Sequence, residues 1–223
     1  MVRDFPLFSR IPPEDCSKIV AAARECTYHP TRTVYFEGDP VKQVILLISG
    51  CVKLSQTGPG GQEVILRLVG PGESLCTECF SNHSHSSTAQ PMQLSVALVW
   101  DAHQFEALAE RFPALGRNIS YVLVHTINQL EVRFREICTE KVASRLANEL
   151  VRLANQVGKR TGGHVEIGLS QRDLAQLTGT TLFTVSRLLG QWQELGIVRP
   201  KRLGLIILNN PALEEISRAE KLD

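Results

Sequence analysis

The segment that most constrains the fold is 169–190, which reads LSQRDLAQLTGTTLFTVSRLLG. Ser170 is a favourable helix N-cap, and Asp173 three residues later is a weak capping-box partner. Gly179 supplies the permissive backbone of a tight turn after the first helix. In the second helix, spacing of i, i+3 and i+4 predicts that three side chains are buried together: Val185, Leu188 and Leu189. The segment therefore predicts two short helices joined by a tight turn.

The opposite face of the second helix carries groups suited to reading DNA in the major groove. Arg187 can bond a guanine edge with two hydrogen bonds, and Ser186 can bond a base or a phosphate. An apolar side chain such as Phe183 can contact a thymine methyl. An ordinary helical hairpin is the alternative interpretation of two short helices taken alone. The residues predicted to contact DNA in this segment are Ser170, Gln171, Thr181, Leu182, Phe183, Thr184, Ser186 and Arg187.

The residues that follow favour a winged helix-turn-helix over an isolated hairpin. Gly196 ends the second helix, and the basic stretch Arg199-Pro200-Lys201-Arg202 leads into an apolar, strand-like run at 205–208. Helix, turn, helix and short basic hairpin together predict a winged domain. Three cations of the hairpin are predicted to lie beside DNA phosphates, with a solvated loop as the alternative: Arg199, Lys201 and Arg202.

Charge is distributed unevenly along the chain. The 223 residues carry a formal net charge of +1. Residues 1–139 hold 12 Lys+Arg and 14 Asp+Glu, a net charge of −2, whereas residues 140–223 hold 12 and 9, a net charge of +3. The basic excess falls on the part with the helix-turn-helix, but it is small. DNA affinity is therefore expected to come from a few placed contacts and from dimeric avidity.

The sequence predicts a cytoplasmic protein. No segment approaches 18 consecutive apolar residues, and the N-terminus lacks the apolar core of a signal peptide. No membrane partner is therefore expected, and the six cysteines are expected to be mostly reduced.

The first 105 residues predict a small β sandwich or barrel. Apolar runs at 33–39, 44–55, 63–69 and 93–99 are separated by glycine-rich turns, and a short helix is predicted over 13–24. The predicted class is α+β. Three parts are predicted: a β-roll (jelly-roll) sensor domain over 1–110, a dimerisation helix over 111–138 and a winged DNA-binding domain over 139–223.

Residues 113–138 predict a long helix with an apolar seam. Five apolar side chains are spaced 4, 3, 4 and 3, which is the a/d pattern of a coiled coil: Leu123, Ile127, Leu130, Phe134 and Ile137. A single amphipathic helix that packs on its own domain is the alternative. The strict 3.5-residue repeat and the two-fold binding mode of helix-turn-helix proteins favour a homodimer seam. A further helix is predicted over 141–157, after a break near 137–140.

The order of these elements resembles the cyclic-AMP receptor protein and fumarate–nitrate reduction (CRP/FNR) family over nearly the whole chain. The β-roll resembles it at 36–39, 49–50 and 70–73, and the most specific match is Thr184-Val185-Ser186-Arg187. The resemblance implies a dimeric transcription regulator that binds a palindromic operator in double-stranded DNA and contacts RNA polymerase. The β-roll, similar to a cyclic-nucleotide-binding domain, would sense a signal that the long helices relay.

Two departures from the family pattern affect specificity. Members of the family often carry a Glu that accepts from cytosine where Phe183 stands, so the half-site is expected to differ from the common one. Members that bind cyclic nucleotides carry a Gly-Glu pair and a phosphate-binding Arg. Here Cys76-Thr77 and Ser87 occupy those positions. Without the Arg nothing pairs with the buried phosphate, so cyclic AMP is disfavoured as the signal.

Cys76 and Cys79 form a Cys-x-x-Cys pair at the position of the nucleotide. The spacing suits a dithiol switch or half of a metal or iron–sulfur site, and plain structural cysteines are the third interpretation. A four-cysteine site would add Cys16 and Cys26. His83 and His85 are interpreted as exposed loop residues, with a haem ligand as the alternative. The predicted effector or redox residues are Glu73, Cys76, Glu78 and Cys79.

Other function classes find less support in the sequence. No nucleophile–base pair or glycine-rich phosphate loop indicates an enzyme. A regulatory nucleotide-binding module would lack the winged helix and would need the phosphate Arg. Within the family, the alternatives to a thiol or metal signal are a haem or nitric-oxide sensor and a regulator without effector that is controlled by its abundance.

Overall fold

The computed structural model describes residues 2–75 and 84–219, which form two compact units. One unit comprises Met1–Gly61 and Leu66–Gln129, and the other comprises Gln62–Ile65 and Leu130–Asp223. The long helix α3, Pro113–Thr139, contributes to both units. Among the described residues, no helix is both long and apolar enough to cross a membrane.

Among the described residues, two three-stranded sheets lie before the long helix. The first sheet has the order β1-β6-β2, from Arg24–Tyr28, Ser95–Asp101 and Gln43–Ser49. The second has the order β4-β3-β5, from Glu63–Val69, Val52–Thr57 and Thr88–Pro91. Helix α1, Pro13–Ala21, precedes the strands, and α2, Ala102–Arg111, follows them. The predicted β-roll is confirmed.

The position of strand β2 between two core clusters explains why its sequence is continuously apolar. Its residues alternate between two separate core clusters, because successive side chains point to opposite faces of a sheet. Val44 and Leu46 pack with Trp100 and Phe105 against the N-terminal helices. Ile45 and Leu47 enter the second cluster, with residues of the β3 sheet. A strand buried on both faces shows an unbroken apolar run rather than an alternating pattern.

The structure corrects the predicted strand at 33–39. Only Tyr35 in this stretch pairs as a strand, through one bridge to Ala89, and Phe36 is 59% exposed. The predicted turn is present, because Gly38 has φ +89° and the Asp39 carboxylate accepts from the Phe36 amide at 2.8 Å. This bond closes the turn locally and ends the extended pairing.

Strands β1 and β5 have no counterpart in the sequence prediction. Strand β1 is half exposed and lies at a sheet edge, and β5 contains a proline. Both features weaken the alternating apolar signal by which strands are recognised. Helix α1 also ends at Ala21, three residues before the predicted limit, because β1 begins at Arg24.

Within the described residues, the C-terminal unit contains a four-stranded sheet and four helices besides the end of α3. The sheet order β7-β8-β10-β9 joins Lys159–Thr161, His164–Ile167, Gly204–Ile207 and Val198–Lys201. The helices are α4, Val142–Gln156; α5, Gln171–Thr178; α6, Leu182–Glu194; and α7, Asn210–Ala219. The predicted winged helix-turn-helix is confirmed, whereas the β7–β8 hairpin and α7 were not predicted.

Gly50 lies in a turn that leaves no room for a side chain, and it supports a stability prediction. Its φ is +99°, and a Cβ atom there would clash with the Cα and the hydroxyl of Ser95, which accepts from the Cys51 amide. Gly38 also has positive φ, but a Cβ there meets nothing within 4 Å.

We expect Gly38→Ala to cost about 1–2 kcal/mol through backbone strain alone. Gly50→Ala should cost about 1–3 kcal/mol more, because the new Cβ also clashes with the Ser95 backbone, which has to move. Chemical denaturation of the two variants measures the difference. Equal losses of stability would contradict the close approach at Ser95.

Candidate nucleic-acid interface

Helix α5 begins with a complete capping box. The Ser170 hydroxyl accepts from the Asp173 amide at 3.1 Å, and the Asp173 carboxylate accepts from the Ser170 amide at 2.9 Å. Two amides that would otherwise lack partners are satisfied in this way. The structure therefore gives Ser170 a structural task at the start of α5, next to the half-buried Gln171.

The turn between α5 and α6 is closed on both sides. Gly179 adopts the left-handed conformation, with φ 60° and ψ 43°, and ends α5. The hydroxyl of Thr181 then caps α6 by accepting from the Thr184 amide at 3.2 Å, and the two threonine hydroxyls lie 2.9 Å apart. Thr181 and Thr184, both predicted DNA contacts, thus determine where α6 begins and how its first turn is held.

Helix α6 separates a buried face from an exposed one. The predicted core residues are buried, with Val185 0%, Leu188 6% and Leu189 1% exposed, and Trp192 joins them. On the other face Phe183 is 77% exposed and Leu182 is 48% exposed, and Ser186 and Arg187 are exposed as well. An apolar ring, a hydroxyl and a guanidinium group therefore share one surface within two turns of helix. This surface is called the α6 reading face below.

The wing carries its cations at the β9 edge of the sheet. Strands β9 and β10 pair from Gly204 opposite Lys201 to Ile207 opposite Val198. Arg199, Lys201 and Arg202 are exposed, and the Lys201 ammonium pairs with Glu166 at 2.7 Å. Both members of that pair are almost half exposed, so water screens it and it contributes little stability.

Some exposed cations of this unit escaped the sequence prediction. Arg172 is exposed in the first turn of α5, directly after Gln171. Lys159 and Arg160 are exposed on β7, at the sheet edge opposite the wing. Arg172 could have been predicted from the sequence, because it lies two residues after the N-cap Ser170. Lys159 and Arg160 could not be predicted in the same way, because they lie on a hairpin whose three- and four-residue strands show little periodicity.

Helix α3 presents most of the predicted seam as an exposed apolar stripe. Leu123 is half buried, while the four residues that follow in the a/d pattern are exposed: Ile127 54%, Leu130 42%, Phe134 70% and Ile137 51%. A row of large apolar side chains in water is typical of a surface that binds a protein partner.

The predicted effector residues fall only partly within the described residues. The Glu73 carboxylate accepts from the Gly70 amide at 2.7 Å, so it closes its own turn. Ser87, which stands where the family carries its phosphate Arg, is buried. Cys76, Glu78, Cys79 and His83 lie outside the described residues.

Cys16 and Cys26 do not share a site. Cys16 belongs to the core cluster beneath α1, whereas Cys26 packs against the cluster between the two sheets. Burial raises the pKa of the Cys16 thiol, although Arg3 opposes the effect, so the reactive thiolate is disfavoured. Within residues 2–75 and 84–219, no group of three or more His, Cys, Asp and Glu side chains could hold a metal ion.

His85 is buried, which corrects its interpretation as an exposed loop residue. It is 6% exposed and stacks on Tyr35, with ring centroids 3.5 Å apart and planes 7° from parallel. Both rings line a cleft of about 330 Å³. The Tyr35 hydroxyl donates to the Leu75 carbonyl at 2.8 Å, which fixes the ring on which His85 packs. The imidazole is therefore part of the packed β-roll.

Both parts of the chain match known protein families. Residues 25–112 match the cyclic nucleotide-binding domain, and residues 144–216 match the Crp-like helix-turn-helix domain. The global nitrogen regulator of Synechococcus elongatus is 30% identical over 193 residues, which cover 82% of this chain and 85% of that protein. The cyclic AMP receptor protein of Thermus thermophilus is 27% identical over 95% of this chain and 96% of its own length. The solved structure of FixK2 from Bradyrhizobium japonicum has a TM-score of 0.78 at 22% identity, over 88% of this chain and 98% of that one.

Proposed function

Because the chain belongs to the CRP/FNR family of DNA-binding transcription regulators, we propose that it binds a palindromic operator as a homodimer. It is a regulator and not an enzyme, and RNA polymerase is its expected protein partner. A signal received in the N-terminal unit would set its affinity for DNA. The α6 reading face carries the proposal, because it presents Phe183 and Arg187 to solvent on a helix that is capped at its start.

Each group on the α6 reading face has a distinct role in this proposal. Arg187 bonds the acceptor atoms of a guanine, and Ser186 bonds a base edge or a phosphate. Phe183 contacts a thymine methyl and replaces the carboxylate that many family members direct at cytosine. The wing cations and the α5 N-terminus position the domain on the phosphates, which adds affinity without sequence preference.

Replacing Arg187 by Ala should weaken operator binding by about 1–3 kcal/mol and relax one base-pair preference. Gel shifts against genomic fragments, followed by selection from random DNA, measure both effects. Arg218→Ala is the matched control, because that side chain is 78% exposed on α7 and carries the same charge.

Phe183→Glu should shift the selected half-site toward the common family sequence. An unchanged motif in both α6 variants would place the reading surface elsewhere.

The homodimer is supported by the apolar stripe on α3. Its a/d spacing lets the same four exposed side chains of a second copy pack between them, which is the self-complementary contact of a two-fold dimer. Two winged domains held in this way would contact half-sites one DNA turn apart, roughly 34–36 Å.

Leu130→Ala and Phe134→Ala should each destabilise the dimer by about 2–5 kcal/mol, because each removes apolar contacts that the dimer buries. Sedimentation over a concentration series measures the dimer dissociation constant. Val132→Ala is the control, because Val132 is 44% exposed on the same helix but stands outside the a/d pattern. Dimers of undiminished stability in both seam variants would put the interface elsewhere.

The signal that we propose is oxidation or metal binding at Cys76 and Cys79, and not a cyclic nucleotide. The sequence supports this choice, because Ser87 stands at the position of the phosphate-binding Arg and the Cys-x-x-Cys pair stands at the position of the nucleotide. A disulfide or a bound metal would change the conformation of the segment that carries both thiols.

Oxidant or chelator should change operator affinity in the wild type but not in a Cys76→Ser/Cys79→Ser variant. Cys138→Ser is the control, because that thiol is exposed on α3, away from the pair in sequence. Gel shifts with oxidant, chelator or cyclic AMP compare the three proteins. Identical responses in all of them would exclude the thiol pair as the sensor, and a response to cyclic AMP would contradict the role given to Ser87.

A further inference from the structure

Four charged side chains meet between the C-terminal part of α3 and helix α4. Arg152 forms two hydrogen bonds with Glu136, both 2.8 Å, and donates to Glu149 at 2.8 and 3.0 Å. Arg133 donates to the other oxygen of Glu149 at 2.8 Å. The side chains of Glu149 and Glu136 are only 2% and 6% exposed. These four residues are called the α3–α4 joint.

The four charges of the joint are balanced, and the two glutamates are buried, whereas the Arg152 side chain is 33% exposed. Two arginines face two glutamates, and each carboxylate is bonded at both oxygens. The free space that these side chains line, with Arg145, Leu177 and Thr178, measures about 10 Å³, no more than one water requires. Such a cluster gains little over apolar packing, because desolvation offsets the attraction between the charges. The cluster differs from apolar packing in that its hydrogen bonds are directional, since planar guanidinium groups meet carboxylates in only a few geometries.

Arg145 extends this connection to the helix-turn-helix. Its guanidinium donates to the Glu140 carbonyl, just after α3, at 2.7 Å, and to the Thr178 carbonyl at 3.3 Å. Thr178 is the last residue of α5 and directly precedes the Gly179 turn that leads to α6. A continuous set of directed bonds therefore runs from α3 through α4 to the turn before the reading helix.

We infer that the α3–α4 joint sets the angle between the dimer helix and the reading helix, and thereby the spacing between half-sites that the protein accepts. This inference rests on the proposed function, because spacing has meaning only for a dimer on a palindrome. Apolar packing alone is non-directional and lets helices slide or rotate. A bidentate pair between Glu136 and Arg152 and a single bond from Arg133 to Glu149 tie α3 to α4 and restrict that freedom. The four side chains are thus positioning residues, which act through α6 without contacting DNA.

The test compares operators of different spacing. Wild-type affinity is measured for the optimal palindrome, for palindromes with one base pair inserted or removed at the centre, and for a single half-site. One base pair rotates the half-sites relative to each other, so the altered operators should bind at least about tenfold more weakly. Glu149→Gln removes the charge that both arginines share. It should reduce this preference to less than about threefold, while half-site affinity stays within about twofold.

Glu149→Gln leaves arginine charges without their shared carboxylate, which can cause misfolding. A second variant tests the inference without this effect. Replacing all four residues with apolar ones, Arg133→Met, Glu136→Leu, Glu149→Leu and Arg152→Met, removes both charges of each pair together and with them the side-chain bonds between α3 and α4, while the Arg145 bonds remain. It should also lose the spacing preference. Glu214→Gln is the control, because its exposed pair with Arg218 on α7 lies outside the joint, and it should keep the wild-type preference.

The outcomes separate the joint from the function on which it rests. A wild-type protein with a strict spacing preference, together with folded variants that keep it, would overturn the joint alone. A wild type that binds single half-sites as tightly as palindromes would overturn the dimeric operator and the joint with it. Loss of the preference with intact half-site affinity supports the inference, because a merely stabilising cluster would lower all affinities together.

Discussion

The continuous hydrogen-bonded backbone of α3 is the constraint on which the rest of the structure depends. Its 27 residues span about 40 Å at 1.5 Å per residue, and they contribute to both compact units. One side of the helix presents an apolar stripe, and near its C-terminal end another side sends Arg133 and Glu136 to α4. The same helix therefore carries both the exposed apolar stripe and the side chains that pair with α4.

These two sides use different physical chemistry, which suits the different tasks that we propose for them. Apolar burial drives association strongly, but it is non-directional. Bidentate ion pairs add little net stability, yet they define an angle. An association surface needs the first property, and a joint that orients a reading helix needs the second. The same division appears in α6, where apolar residues anchor one face and Arg187 stands exposed on the other.

The β-roll shows how a packed domain limits the groups available for sensing. Cys16 and His85 are both buried in its packing, and Glu73 is used by its own turn. Burial raises the pKa of Cys16 and keeps it in the less reactive thiol form. Cys76 and Cys79 are identified as candidate sensing residues by the sequence alone, through their Cys-x-x-Cys spacing and their position relative to Ser87 along the chain.

The sequence by itself determined the elements whose signals are local. The N-cap at Ser170, the turn at Gly179, the buried triplet of α6 and the a/d pattern of α3 each depend on residues within one or two helical turns. The family resemblance and the identity of the candidate DNA contacts followed from the same short patterns.

Only the tertiary structure decided what depends on distant residues. The stretch 33–39 forms a strand bridge only at Tyr35, opposite Ala89, and His85 is buried because Tyr35 lies against it. The α3–α4 joint joins Arg133 to Glu149 and Glu136 to Arg152, each pair sixteen positions apart. Charged side chains on an amphipathic helix are usually solvated, so no periodic pattern marks Glu136 and Glu149 as buried. Their role exists only once two helices bring opposite charges together and exclude water.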